Sequence, residues 1–186
     1  MPRRAPPAAQ VVEYNIALSR YPLGGMVSFA THPQLNTVRL QLRQNLVLRG
    51  MTPAQWAELE PLLAVVDYRK GDLLVRQGDF EMEQFFILEG MLKRVVSNAE
   101  GREMILRFAA ETDMDTSYAA WCLKTPTPYS IVAVTKVRTA QLGMAQWVEF
   151  LERHMDVKAR FQFEIMKLMS EVMAHTITLH LLDAPG

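Results

Sequence analysis

Residues 69–104 read RKGDLLVRQGDFEMEQFFILEGMLKRVVSNAEGREM, and four glycines, Gly71, Gly78, Gly90 and Gly101, cut them into short runs rich in Val, Ile, Leu and Phe. Each run is only a few residues long, and glycine supplies the positive φ that tight turns between strands demand. The same rhythm extends outward from Val65 to Met144, with further breaks at Thr125-Pro126-Thr127-Pro128 and at Lys136. It predicts strands near 65–69, 72–77, 84–89, 91–98, 103–109, 129–135 and 137–142, the spacing of an antiparallel sandwich or barrel. Residues 116–123 depart from it: they lack period-two alternation, carry the adjacent Ala119 and Ala120, and are expected to form a short helix between strands.

Helices flank this region. From Pro33 to about Ala64, Leu35, Val38, Leu42 and Leu46 recur at helical spacing. A second segment starts at Thr52, an N-cap followed by Pro53 at the first helical position and by Gln55, which completes a capping box. Beyond Ala145, Trp147, Phe150 and Leu151 mark one short helix, and after His154 a long one runs toward Asp183 without Gly or Pro. On it Phe161, Ile165, Leu168, Val172, His175, Leu179 and Leu182 alternate steps of four and three, the a/d spacing of a two-helix interface. A second stripe of Phe163, Met166, Met169, Met173 and Ile177 is expected to widen that apolar face, so that the helix packs on the β domain and on another copy of itself. A homodimer follows; the alternative is a helix serving its own domain alone.

A chain of 186 residues, 49% apolar and 22% charged, suits one domain with added secondary structure. Its apolar runs fall short of a membrane span. One cysteine, Cys122, excludes an internal disulfide and a Cys-rich zinc site, and a reducing cytoplasm is the expected location. Residues 1–50 hold six Arg against the single acid Glu13, leaving the remainder slightly anionic, so the folded part lacks the cationic footprint of a nucleic-acid reader. Pro2, Pro6, Pro7 and Pro22 make residues 1–32 read as a poorly ordered extension, and Glu13 and Asn15 interrupt any secretory apolar stretch.

Arg69-Lys70-Gly71-Asp72, Arg76-Gln77-Gly78-Asp79, Phe86-Ile87-Leu88-Glu89-Gly90 and Gly101-Arg102-Glu103 together resemble the glycine framework of the cyclic-nucleotide-binding domain of bacterial Crp/Fnr-type regulators. The resemblance runs from about residue 40 to the end. It implies a mainly β fold with flanking α: a double-stranded β-helix, or jelly-roll-like β-roll, with N-terminal helices and a long C-terminal dimerisation helix. The expected division is an extension at 1–32, the β-roll with its helical lead-in at 33–144, and C-terminal helices at 145–186.

The resemblance also defines where the chain departs from the family. A cyclic phosphodiester requires an Arg for the phosphate and a carboxylate for the ribose hydroxyl. In the family these are a Glu opening the short helix and an Arg opening the next strand; the matching positions here are Thr116-Ser117 and Tyr129-Ser130. Where cyclic-AMP-responsive members carry hydroxyl residues on the long helix, this chain has Val172 and Met173. Losing the Arg and the carboxylate lowers micromolar affinity by roughly two to four orders of magnitude. The remaining pocket, framed by Tyr118, Trp121, Cys122, Tyr129, Val172 and Met173, is expected to be apolar and aromatic, suited to an uncharged or weakly polar effector; alternatively the aromatics fill the vacated space and no effector binds.

Other chemistry is weakly supported. His32, His154, His175 and His180 form no HxxxH pair, and no metal site is expected. Cys122 lies where some haem-sensing relatives place a ligand, which keeps haem open; otherwise it is a small hydrophobe. Glu111, Asp113 and Asp115 lack the Gly and Glu of a calcium loop and read as a solvated turn. No catalytic motif occurs, and an enzyme is not expected. Full-length relatives follow the long helix with a helix-turn-helix domain, whereas this sequence stops at Leu182-Asp183-Ala184-Pro185-Gly186. The sequence therefore reads as the sensor and dimerisation module of a regulator, touching DNA only through a further domain. Its alternatives are a true cAMP or cGMP receptor using Ser117 or Ser130, and a ligand-free dimeric interaction protein.

Overall fold

The computed structural model describes residues 25–182. Nine strands form two antiparallel sheets: β1 (Met26–Ser28), β2 (Ala64–Tyr68), β9 (Val137–Gly143), β4 (Glu83–Glu89) and β7 (Met114–Thr116) in one, β3 (Leu73–Val75), β8 (Ser130–Ala133), β5 (Leu92–Ser97) and β6 (Glu103–Ala109) in the other. Helices α1 (Leu35–Arg43) and α2 (Pro53–Leu59) precede the roll, α3 (Tyr118–Leu123) bridges β7 and β8, and α4 (Met144–Arg153) and α5 (Met155–Leu182) follow it. This is the jelly-roll-like β-roll with flanking helices that the resemblance implied.

Period-two alternation assigns β4 to two cores at once. Phe85 and Ile87 turn into the roll against Val66, Leu92, Ile131 and Val137. Phe86 and Leu88 turn outward against Phe29, Leu42, Trp147 and Phe161. Trp147 ties the helical side together, meeting the rings of Phe86 and Phe161 edge-on at 5.3 Å and stacking on Phe150 at 5.6 Å. The capping box is present: Gln55 N–H donates to Thr52 Oγ1 at 3.2 Å, and Thr52 N–H to Gln55 Oε1 at 2.9 Å.

The seven expected strands form with small shifts at their ends, whereas β1 and β7 were not foreseen. The extension expected at 1–32 needs correcting at its end: Met26–Ser28 pairs with β2, and Phe29 is fully buried in the helical core. Residues 1–24 lie outside the described residues, as do Asp183–Gly186. Among the described residues no helix is long and apolar enough to cross a membrane.

The long helix also differs from expectation. At 100° per residue its two apolar stripes lie roughly 150° apart, on opposite faces rather than side by side. Phe161, Ile165 and Leu168 pack into or against the chain's own core, so this half of the expected dimer seam is already covered. Val172 and Leu179 are half-buried, while His175 and Leu182 are exposed. The opposite stripe of Phe163, Met166, Met169, Met173, Ile177 and Leu181 faces solvent.

Candidate functional site

The cradle lies where β5, β6, β7 and the start of β8 meet below α3. Strand β7 ends in Asp115 and Thr116, and Ser117 precedes the first turn of α3; all three are buried. Strand β5 places Arg94 on the same inward side as Leu92, so the guanidinium is buried. It donates from Nη2 to Asp115 Oδ1 and, at 3.1 Å, to the Thr116 carbonyl. The Tyr129 ring covers it, with its centroid 4.0 Å from Arg94 Cζ, and the Tyr129 hydroxyl donates to the Thr116 carbonyl at 2.6 Å. Cation–π attraction strengthens as such a pair is desolvated.

A second arginine extends the cluster. Arg107 on β6 places Nη1 3.5 Å from Asp115 Oδ2 and donates from Nη2 to Asp113 Oδ2 at 2.5 Å. The four charges cancel, which is what permits their burial. Burial works against the Arg94 cation, but Asp115 and then Asp113 outweigh it and hold its pKa above the ordinary arginine value. Burial also raises the Asp113 carboxyl, against the pull of Arg107, and raises the Tyr129 phenol, against the pull of Arg94. The outer pair opens into a cleft of about 150 Å³ between the roll and α5, lined by Leu46, Arg107, Asp113, Met114, Glu164, Lys167, Leu168 and Glu171.

Of the residues expected to frame the pocket, the structure brings together Thr116, Ser117 and Tyr129. Ser130 is engaged locally, its hydroxyl accepting from Gln77 N–H at 2.9 Å. Tyr118 belongs to the helical core instead, meeting the Phe161 ring edge-on at 5.0 Å. Trp121 and Cys122 on α3 are exposed, as is Met173, while Val172 is half-buried. The apolar cradle expected from the sequence is therefore corrected to one holding a buried charge cluster. The supposed solvated turn is corrected too: Asp115 is fully buried and Asp113 partly so. Arg94 was legible in principle, since period-two alternation in β5 aligns it with Leu92. Nothing local distinguishes Arg107 from a surface strand residue.

Residues 65–154 match the family model of the cyclic nucleotide-binding domain. No curated protein sequence matches the chain. Among solved structures, it is similar to a catabolite activator protein from Thermus thermophilus (TM-score 0.60, 15% identity, covering 72% of this chain and 62% of that one). A regulatory subunit of a cAMP-independent protein kinase A from Trypanosoma brucei superposes with TM-score 0.58 and 22% identity over 72% of this chain and 51% of that one. The N-terminal domain of a transcriptional regulator from Streptomyces coelicolor A3(2) gives TM-score 0.51 and 21% identity over 78% of this chain and 98% of that domain. The chain thus spans 51% and 62% of the kinase regulatory subunit and the activator protein, respectively. At these identities the likeness is one of fold, and together with the family match it makes residues 65–154 a cyclic nucleotide-binding domain in architecture.

Proposed function

We propose that this chain is the sensor and dimerisation domain of a Crp/Fnr-type transcription regulator whose cradle does not accept cyclic AMP or cyclic GMP. The observation that carries this reading is the self-satisfied cradle: Tyr129 covers Arg94 at 4.0 Å, and Arg94 is paired with Asp115. A cyclic nucleotide brings one negative charge. Added to a buried cluster whose four charges already cancel, it would leave an uncompensated anion, at a cost of several kcal/mol. The ribose-binding carboxylate is also missing, Ser117 standing in its place.

Dimerisation uses α5, through the exposed stripe running from Phe163 to Leu181 rather than the seam that includes Phe161 and Leu168. DNA contact belongs to a helix-turn-helix unit following α5, and regulation acts on how paired α5 helices sit against their rolls. The similarity to a transcriptional regulator's N-terminal domain and to a kinase subunit described as cAMP-independent supports both parts. Titration calorimetry with cyclic AMP and cyclic GMP tests the ligand half: the expected result is no saturable heat at micromolar ligand, and low-micromolar binding of either would overturn the reading.

A further inference from the structure

Asp115 is bound much as a ligand anion would be. One carboxylate oxygen receives the Arg94 guanidinium and the Thr116 backbone N–H at 2.7 Å; the other lies 3.5 Å from Arg107 Nη1. Two guanidiniums and a main-chain N–H converging on one oxyanion is the arrangement proteins use to hold carboxylates and phosphates. Here the anion is supplied by the chain, from a strand where the side chain is fully buried. Two more buried groups point to capacity beyond what Asp115 uses. Arg94 Nε and Ser117 Oγ have no hydrogen-bond partner, and Asp115 Oδ2 has only the longer contact to Arg107. Unpartnered polar groups are uncommon in a buried setting.

We infer that the cradle is an anion receptor permanently occupied by the chain's own Asp115 carboxylate, so that the domain holds its anion-bound arrangement without an effector. This rests on the reading that the cradle's charge is satisfied internally, and it adds that the satisfaction is of receptor type. Arg94, Arg107 and the Thr116 N–H remain competent for a free anion once the tethered one is removed. A small carboxylate of the size deleted is the fitting probe, because the truncation leaves room for little more.

The experiment is chemical rescue of Asp115→Ala, with formate as the probe and neutral formamide as its uncharged counterpart at matched ionic strength. Formate should raise the midpoint of thermal unfolding of the variant saturably, by roughly 3–6 °C at ten times its dissociation constant. Formamide should not, and wild type should respond to neither. Adding Arg94→Met to the variant should abolish the formate response. If Asp115→Ala does not fold unaided, refolding yield in formate against formamide gives the same comparison. Equal effects of the two probes, or no effect of formate on either midpoint or yield, would overturn the inference. Cyclic-nucleotide binding by wild type would instead remove the functional reading beneath it while leaving the rescue result standing.

Discussion

Replacing Met173 with Glu asks which face of α5 meets a second copy. Phe163, Met166, Met169, Met173, Ile177 and Leu181 are each between 52% and 73% exposed. For large side chains of about 200 Å², that leaves on the order of 100–140 Å² apiece to bury. Six such residues give about 700 Å² per protomer and about 1,400 Å² for a two-fold pair, within the range of specific interfaces. Met173 alone, at about 25 cal/mol per Å², is worth about 3 kcal/mol per protomer as an upper bound, and a two-fold axis counts it twice. Half of that total is still a weakening of more than 100-fold, before any cost of placing a carboxylate in the contact. Light scattering across a concentration series should show Met173→Glu shifted toward monomer while circular dichroism stays native. Leu168→Glu, by contrast, places a charge in the chain's own core, where Leu168 is only 6% exposed, and should lower folding stability first. A dimer unaffected by Met173→Glu, or a wild-type chain that stays monomeric at about 100 µM, would refute the assignment of the face.

Three further perturbations test the fold around the site. Arg94→Met and Asp115→Leu should each destabilise by about 3–5 kcal/mol, because each strands a buried charge, whereas the double variant should recover most of the loss; additive urea-denaturation losses would contradict the pairing. Gly90→Ala should cost about 2–4 kcal/mol, since Gly90 sits at φ +90° and an added Cβ would collide with the Lys136 carbonyl and lie 2.8 Å from Thr135 Oγ1; a thermal midpoint within 2 °C of wild type would contradict it. Asp67 faces Arg138 across β2 and β9, and the hydrogen bond from Arg138 holds its carboxyl below the ordinary value of 3.8. A depressed acid contributes stability above its unfolded pKa and loses it as pH falls through the folded one. Asp67→Asn should therefore flatten the melting-temperature profile below about pH 4, and an unchanged profile would remove Asp67 from the acid response.

The roll was legible because its signals are local. Gly71, Gly78, Gly90 and Gly101 all adopt positive φ, and each turn glycine can be read without knowing what it faces. Strand β1 escaped because three residues give periodicity no purchase, and its stability comes from pairing with β2, about 38 residues away by register. The division of α5 into two faces escaped because heptad spacing records that residues share a face, not what covers that face. The site was harder still. Arg94, Arg107, Asp113 and Asp115 come from three strands and the turn before β7, and their significance lies in meeting one another. An acid at 115 looks solvated until the fold supplies a guanidinium on each side.

The same geometry argues for how the cradle and α5 are linked. Arg107 is shared, with Asp115 on its inner side and Asp113 on its outer side. Asp113 lines the cleft whose opposite wall is Glu164, Lys167 and Glu171 of α5. Just beyond, Leu168 anchors the helix to the roll, while the far face carries the exposed methionines. Loss of the Asp115 charge frees Arg107 to engage Asp113 alone, or the carboxylates of α5 across the cleft. Either change alters charge along one face of the helix whose other face is offered to a partner. Because a packed helix shifts between discrete seats rather than bending continuously, the effect of an unpaired Arg107 would be carried to the dimer contact as a displacement of α5 as a whole.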